Sequence, residues 1–185
     1  MINMPEKTIE IPDGVEARFE KNSLIVRGPK GELQRIFKSP WIKKEIKENT
    51  IIFSSGSERR KTCALLGTWA SHARNMIIGV TRGWEAKLKT VYSHFPVKIN
   101  IEGDKVIIQN FMGERKPRVS SIVGDTKVNI GKDEIVITGT NKEDVGQTAA
   151  NIELVTKVSG YDRRVFQDGC HLIQKCSPVD EEKGE

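Results

Sequence analysis

A duplication constrains this chain more than any other feature of its sequence. At a constant offset of 82 residues, Lys7, Thr8, Val15, Glu20, Gly31 and Glu32 meet identical residues at Lys89, Thr90, Val97, Glu102, Gly113 and Glu114. Apolar positions agree in kind as well: Ile9 aligns with Val91, Ala17 with Ile99, Phe19 with Ile101, and Leu24, Ile25 and Val26 with Val106, Ile107 and Ile108. Side chains alternate faces along a strand, so a slip of one residue would turn every buried position to solvent. The shared register therefore predicts the same strands with the same inward faces. A second block, IKENTIIF (46–53), answers IGKDEIVI (130–137) at an offset of 84. Such a period is a domain length, well beyond the roughly 20–50 residues of solenoid repeats.

The 185 residues thus read as two domains of one fold, the first over 1–82 and the second over 83–176, with an acidic tail, 177–185, expected to be disordered. In the first copy VEARFE alternates apolar and charged residues, SLIVRG follows after a Lys-Asn turn, and GPKG (28–31) makes the next turn. GELQRIF and TIIFS read as further strands with Pro40 between them, and connections this short require antiparallel pairing. From about 58 to 80 the spacing becomes helical, with Leu66, Trp69, Ala70, Ala73, Ile77 and Val80 on one face. The second copy repeats this from about 142 to 158 with Val145, Ala149, Ile152 and Val155. Ser55 before Glu58 and Thr140 before Glu143 have the spacing of capping boxes. Gly67 and Gly146 hold matching places in the helices; an interior helical glycine costs about 1 kcal/mol, which predicts close approach to the sheet there. The expected fold class is α+β: two tandem duplicated domains, each a mostly antiparallel β-sheet structure packed against one α-helix. WEAKLKTVY opens the second domain as a strand, and no Pro- or Ser-rich linker precedes it.

Catalytic chemistry has no foothold in this pattern. His72, His94 and His171 are scattered, and Cys63, Cys170 and Cys176 include no CxxC pair. No Walker loop, nucleophile elbow or dinucleotide fingerprint occurs, so no enzyme activity, metal or cofactor is expected. GPKG has the GxxG form that clamps nucleic-acid backbone in KH domains, but between two strand-like runs it reads as a turn. The N-terminal residues lack the pattern of a signal peptide and no stretch reaches 18 uncharged apolar residues, which predicts a cytoplasmic chain without a membrane partner.

Charge is more informative. Thirty Lys and Arg stand against 25 Asp and Glu, and a basic balance suits a polyanionic partner. Three clusters are candidates: Arg59, Arg60, Lys61 and Arg74 around the first helix; Arg115, Lys116 and Arg118 around Pro117; and Arg163, Arg164, His171 and Lys175 after the second helix. Together they favour phosphate-backbone contacts, which position a protein on RNA and weaken steeply with salt. An aromatic content of 6% argues against a stacking platform for single strands. The alternative is a protein-binding adaptor that pairs an exposed strand edge, such as WEAKLKTVY, with a partner's strand.

Four stretches taken in order, GTWASHARNMIIGVTRG, KLKTVYSHFP, NFMGERKPR and RVFQDGCHLIQK, resemble the large-subunit ribosomal protein six family in its archaeal and eukaryotic branch, a match running from about residue 7 to residue 175. Arg164, Phe166, Asp168, Gly169 and Lys175 resemble the family's C-terminal signature, with Cys170 where an aliphatic residue is usual and His171 where Tyr is usual. The resemblance implies a duplicated α+β fold and a non-catalytic structural constituent of the large subunit, cytoplasmic and in ribosomes. It implies binding to large-subunit (23S-type) rRNA near the base of the factor-binding stalk and the sarcin/ricin loop, with stalk-base ribosomal proteins as neighbours and translation factors nearby. No homo-oligomer is expected. The C-terminal domain would be the main rRNA anchor, although charge alone points to the other half: residues 1–82 carry 15 basic and 9 acidic residues, residues 83–179 carry 14 and 12. The loop after Gly113 and Glu114 is where the RNA is expected.

Overall fold

The computed structural model describes residues 5–162 and 164–179. It divides between Arg82 and Gly83 into two compact units. In the first, β1 (Glu6–Glu10), β6 (Thr50–Ser55) and β5 (Ile42–Lys47) form one antiparallel sheet, in the order β1-β6-β5. β2 (Glu16–Glu20), β3 (Ser23–Gly28) and β4 (Gly31–Ile36) form another. Helix α1 (Arg60–Thr81) closes the core with Leu66, Trp69, Ala73 and Val80 against Leu24, Val26, Ile51 and Phe53. Each such fully buried Leu, Ile or Phe contributes about 1.5–3 kcal/mol. Trp69 is the aromatic centre, with its ring 5.3 Å from Phe37 and 5.8 Å from Phe53, both edge-on. The expected Ser55 capping box does not form: the Ser55 hydroxyl bonds the Ser57 main chain, and α1 starts at Arg60 without a side-chain cap.

The second unit repeats the plan. β8 (Lys98–Glu102), β9 (Lys105–Gln109) and β10 (Arg118–Ser121) form one antiparallel sheet. β11 (Lys127–Ile130), β12 (Glu134–Gly139), β7 (Trp84–Val91) and β13 (Gly169–Pro178) form the other in that order, also antiparallel. Helix α2 (Lys142–Val155) packs Val145, Thr148, Ala149 and Ile152 inward. Its N-cap is Asn141, which accepts from the Glu143 N–H, not the expected Thr140, and it ends three residues short of the expected 158. β13 is a strand that the sequence pattern did not disclose. It carries Ser177 and Pro178 opposite Glu85 and Trp84, so the start of the expected disordered tail lies within ordered sheet; residues 180–185 of that tail lie outside the described residues.

Sheet register corrects the single offset of 82. That offset holds for β2 with β8 and β3 with β9, and the offset of 84 holds for Ile46–Ile51 with Ile130–Ile135. But Ile9 pairs with Ile51 while Leu88 pairs with Ile135, so β1 corresponds to β7 at an offset of 79. The identity of Lys7-Thr8 with Lys89-Thr90 is therefore not structural: Thr8 is exposed and Thr90 buried, because an odd shift exchanges faces. Likewise Val26 pairs with Leu33 and Ile108 with Arg118, so Arg118 stands in the place of Leu33, and Gly113 is no counterpart of Gly31. The helices also correspond at 79, with Leu66 matching Val145 and Ala73 matching Ile152. Gly67 and Gly146 do match, but neither marks close approach: a Cβ at Gly67 would meet nothing within 4 Å, and one at Gly146 only the Cys176 sulfur at 3.5 Å. A tight glycine of the first unit is Gly28, in the turn residues 28–31, where a Cβ would lie 2.8 Å from Val80 Cγ2.

Candidate nucleic-acid interface

The connection from β9 to β10 is fixed at both ends. At its start, Asn110 and Met112 adopt left-handed backbone (φ 57° and 50°), a conformation uncommon for a residue like methionine. Buried Phe111 anchors this turn; Asn110 Nδ2 donates to the Pro96 carbonyl at 3.1 Å, and the Glu114 N–H closes onto the Phe111 carbonyl. At its end, Arg118 Nε and Nη2 donate to the two Glu114 carboxylate oxygens at 2.8 and 2.5 Å. Arg118 Nη1 donates to the Val155 and Lys157 carbonyls at the end of α2, and the guanidinium lies 4.3 Å from the Phe111 ring centre. The hydrogen bonds from Arg118 hold the Glu114 carboxyl below the usual glutamate range, and the same bonds raise the guanidinium. Between these clamps Arg115 and Lys116 are exposed. Neither side chain makes an ion pair or hydrogen bond among the described residues. Arg118 thus has four of its five N–H donors committed within the protein, which leaves one for the phosphate contact expected of it.

The third cluster is built differently. Asp162 caps the turn that follows it: its side chain accepts from the Arg164 N–H, its carbonyl from the Phe166 N–H, and the Tyr161 and Phe166 rings meet at 5.0 Å, tilted by 55°. Buried Asp168 accepts from the Ser93 hydroxyl at 2.8 Å and from its N–H at 3.2 Å, tying this segment to the loop after β7. Arg164, His171 and Lys175 are exposed, and the His171 ring lies 3.0 Å from the Gln167 carbonyl. Arg163 lies outside the described residues. An open cleft of about 580 Å³ between the end of α2 and this segment brings Lys157 and His171 together with Glu153 and Asp168. Lys157 is an exposed cation that the sequence analysis passed over. So are the aromatics: Tyr161 is 58% exposed, and Tyr92, Phe95 and Phe166 are at least 40% exposed, which withdraws the argument against base stacking. For Tyr161 and Phe166, adjacency in sequence to Arg163 and Arg164 was the available signal.

In the first unit Arg59 is the N-cap residue of α1, and Arg60 and Lys61 form its first turn, all exposed, with no acidic residue there. Cations at this end oppose the helix dipole by about 0.3–1 kcal/mol each, so folding gains nothing from them. Arg74 stands apart, beside β1. WEAKLKTVY offers no free edge to a partner strand, because it is β7 and has β12 on one side and β13 on the other. Among the described residues no group of three or more His, Cys, Asp or Glu is arranged to hold a metal, and no helix is long and apolar enough to cross a membrane.

The profile of the family described as Ribosomal protein L6 matches two stretches of this chain, residues 11–83 and 95–169, one in each unit. The chain is 47% identical over 175 residues to the large ribosomal subunit protein uL6 of Methanosarcina mazei, covering 95% of this chain and 99% of that protein. It is 47% identical over 175 residues to the same protein of Methanothrix thermoacetophila, with the same coverage, and 42% identical over 172 residues to that of Haloarcula marismortui, covering 93% and 97%. With two sheet-and-helix units and a profile match in each, the chain belongs to the ribosomal protein L6 family in its archaeal branch, a family of structural, non-catalytic components of the cytoplasmic ribosome.

Proposed function

We propose that this chain is a structural constituent of the large ribosomal subunit that binds large-subunit rRNA near the stalk base and the sarcin/ricin loop. In this reading the second unit is the main anchor, translation factors bind nearby, and stalk-base proteins are its neighbours. The observation that carries it is the clamped loop: Arg118 and Glu114 fix the backbone on which Arg115 and Lys116 project, exposed and unpaired among the described residues. Two pre-positioned cations contact phosphate without first losing the freedom of a mobile loop. Arg164, Lys157 and Lys175 add exposed cations on the same unit, and His171 an exposed imidazole. Arg59, Arg60 and Lys61 supply a secondary contact from the first.

Binding of the full chain to a large-subunit rRNA fragment, measured across a salt series, tests this. Arg115→Glu with Lys116→Glu should weaken binding and flatten the log–log salt slope by roughly 1.4–1.8, the share of two phosphate contacts. An unchanged slope overturns the loop as an RNA contact. If Arg59→Glu with Arg60→Glu and Lys61→Glu causes the larger loss, the first unit is the anchor.

A further inference from the structure

The two units differ at one strand position. In the second, β7 has β12 on one side and β13 on the other; in the first, the counterpart β1 has β6 on one side, and no described strand on the other. The Ser55 N–H donates to the Pro5 carbonyl and the Ile11 N–H to the Asn49 carbonyl. Alternation along an antiparallel pair then turns the main-chain groups of Glu6, Thr8 and Glu10 outward, away from β6. At the offset of 79 these residues correspond to Glu85, Lys87 and Lys89, which lie opposite Ser177, Gln174 and His171 of β13. A cleft of about 440 Å³ runs beside this edge, lined by Thr8, Ile9, Glu10, Arg74, Ile77 and Ile78.

Charge indicates what fits there. Arg74 corresponds to Glu153, whose carboxylate accepts from the Leu172 N–H of β13, and Glu10 corresponds to Lys89. Both signs are reversed, so the strand that complements the first unit carries an acid where β13 has none. Arg74 is exposed and makes no ion pair among the described residues. We propose that the free edge of β1 is a strand-addition site that takes an extended segment of a neighbouring protein, with a carboxylate of that segment against Arg74. This rests on the placement of the chain in the large subunit. Main-chain bonds to Glu6, Thr8 and Glu10 supply the affinity, and the apolar floor of Ile9, Ile77 and Ile78 receives one side chain.

Hydrogen exchange of the peptide 5–11, read by mass spectrometry in the isolated chain and in purified large subunits containing it, provides the test. The amides of Glu6, Thr8 and Glu10 should exchange fast in the isolated chain and slowly in the subunit. Thr8→Pro removes an outward N–H and leaves the pairing with β6 intact, so the chain should fold and the protection should disappear. Arg74→Glu should reduce the protection without any change to the strand. A photo-crosslinker at position 74 should join to one segment of one protein. The inference is overturned if the amides stay fast in the subunit, if they are already slow in the isolated chain, or if the crosslink is to rRNA. A chain that does not enter the subunit overturns the placement as well, which separates the two failures.

Discussion

Arg118 grips Glu114 four residues earlier through two parallel hydrogen bonds, and with its remaining nitrogen it holds the Val155 carbonyl that ends α2 and the Lys157 carbonyl just beyond. One side chain thus closes a loop and caps a helix. In the first unit the corresponding sheet position is Leu33, an apolar residue in a tight hairpin. The longer second hairpin needed a residue that could hold its added backbone, and a planar fork of donors does so where a lysine's single charged point could not.

Arg118→Ala should lower the stability of the second unit by about 1–3 kcal/mol, since it removes the Glu114 clamp and leaves the part-buried Val155 carbonyl without its donor. Arg118→Lys should recover little. Thermal unfolding followed by a probe in that unit checks both. Glu114 adds a pH dependence. Its carboxyl titrates lower folded than unfolded, so the unfolded chain binds more protons and the clamp's contribution is present above the ordinary glutamate range. That contribution should be lost as pH falls through the depressed value, and Glu114→Gln should remove the dependence.

Gly28 and Gly67 should respond in opposite directions. A Cβ at Gly28 would lie 2.8 Å from Val80 Cγ2 and 2.9 Å from the Val80 carbonyl, and the backbone atom cannot rotate away. Gly28→Ala should therefore destabilise the first unit by about 1–3 kcal/mol. Gly67→Ala meets open space on a helix and should stabilise the same unit by about 0.5–1 kcal/mol. Urea titrations of the two variants decide the signs.

These glycines show what was legible in the chain. Helical spacing located both helices, and strand alternation in a shared register located the inward faces of β2, β3, β8 and β9, because burial writes its period directly into the residues. Identity of residue type misled where no burial constrained it: Lys7-Thr8 and Lys89-Thr90 match in letters and lie on opposite faces. β13 escaped notice because bulges after Leu172 and Gln174 break its alternation. Arg118 read as one more cation, since Val155 and Lys157 are 37 and 39 residues away and only the fold brings them to it.

Cys170 should resist alkylation in the native chain at neutral pH. It is 1% exposed, and burial raises its thiol pKa, with hydrogen bonds from Thr90 and Thr156 offsetting this only in part. Burial also raises Cys176. Peptide mapping after iodoacetamide should find Cys170 modified only once the second unit unfolds. Because the unfolded thiol releases its proton first, stability should fall as pH rises above about 8.5.

Asp168 gives the sharpest test of how the cleft beside α2 is held. One carboxylate oxygen accepts both the hydroxyl and the N–H of Ser93, so a segment carrying Arg164 is tied to the loop after β7 across 75 residues of sequence. Asp168→Ala removes the acceptor of both bonds while water can still reach exposed Ser93, and should cost about 0.5–1.5 kcal/mol. Asp168→Asn keeps an acceptor oxygen of the same reach and should cost less than half as much. Ser93→Ala removes the hydroxyl donor alone and should fall between them and the native chain. If the tie also positions the cations, Asp168→Ala should weaken rRNA binding at low salt while Asp168→Asn does not. Equal losses for Ala and Asn would mean that the carboxylate's charge, and not its geometry, holds the two segments together.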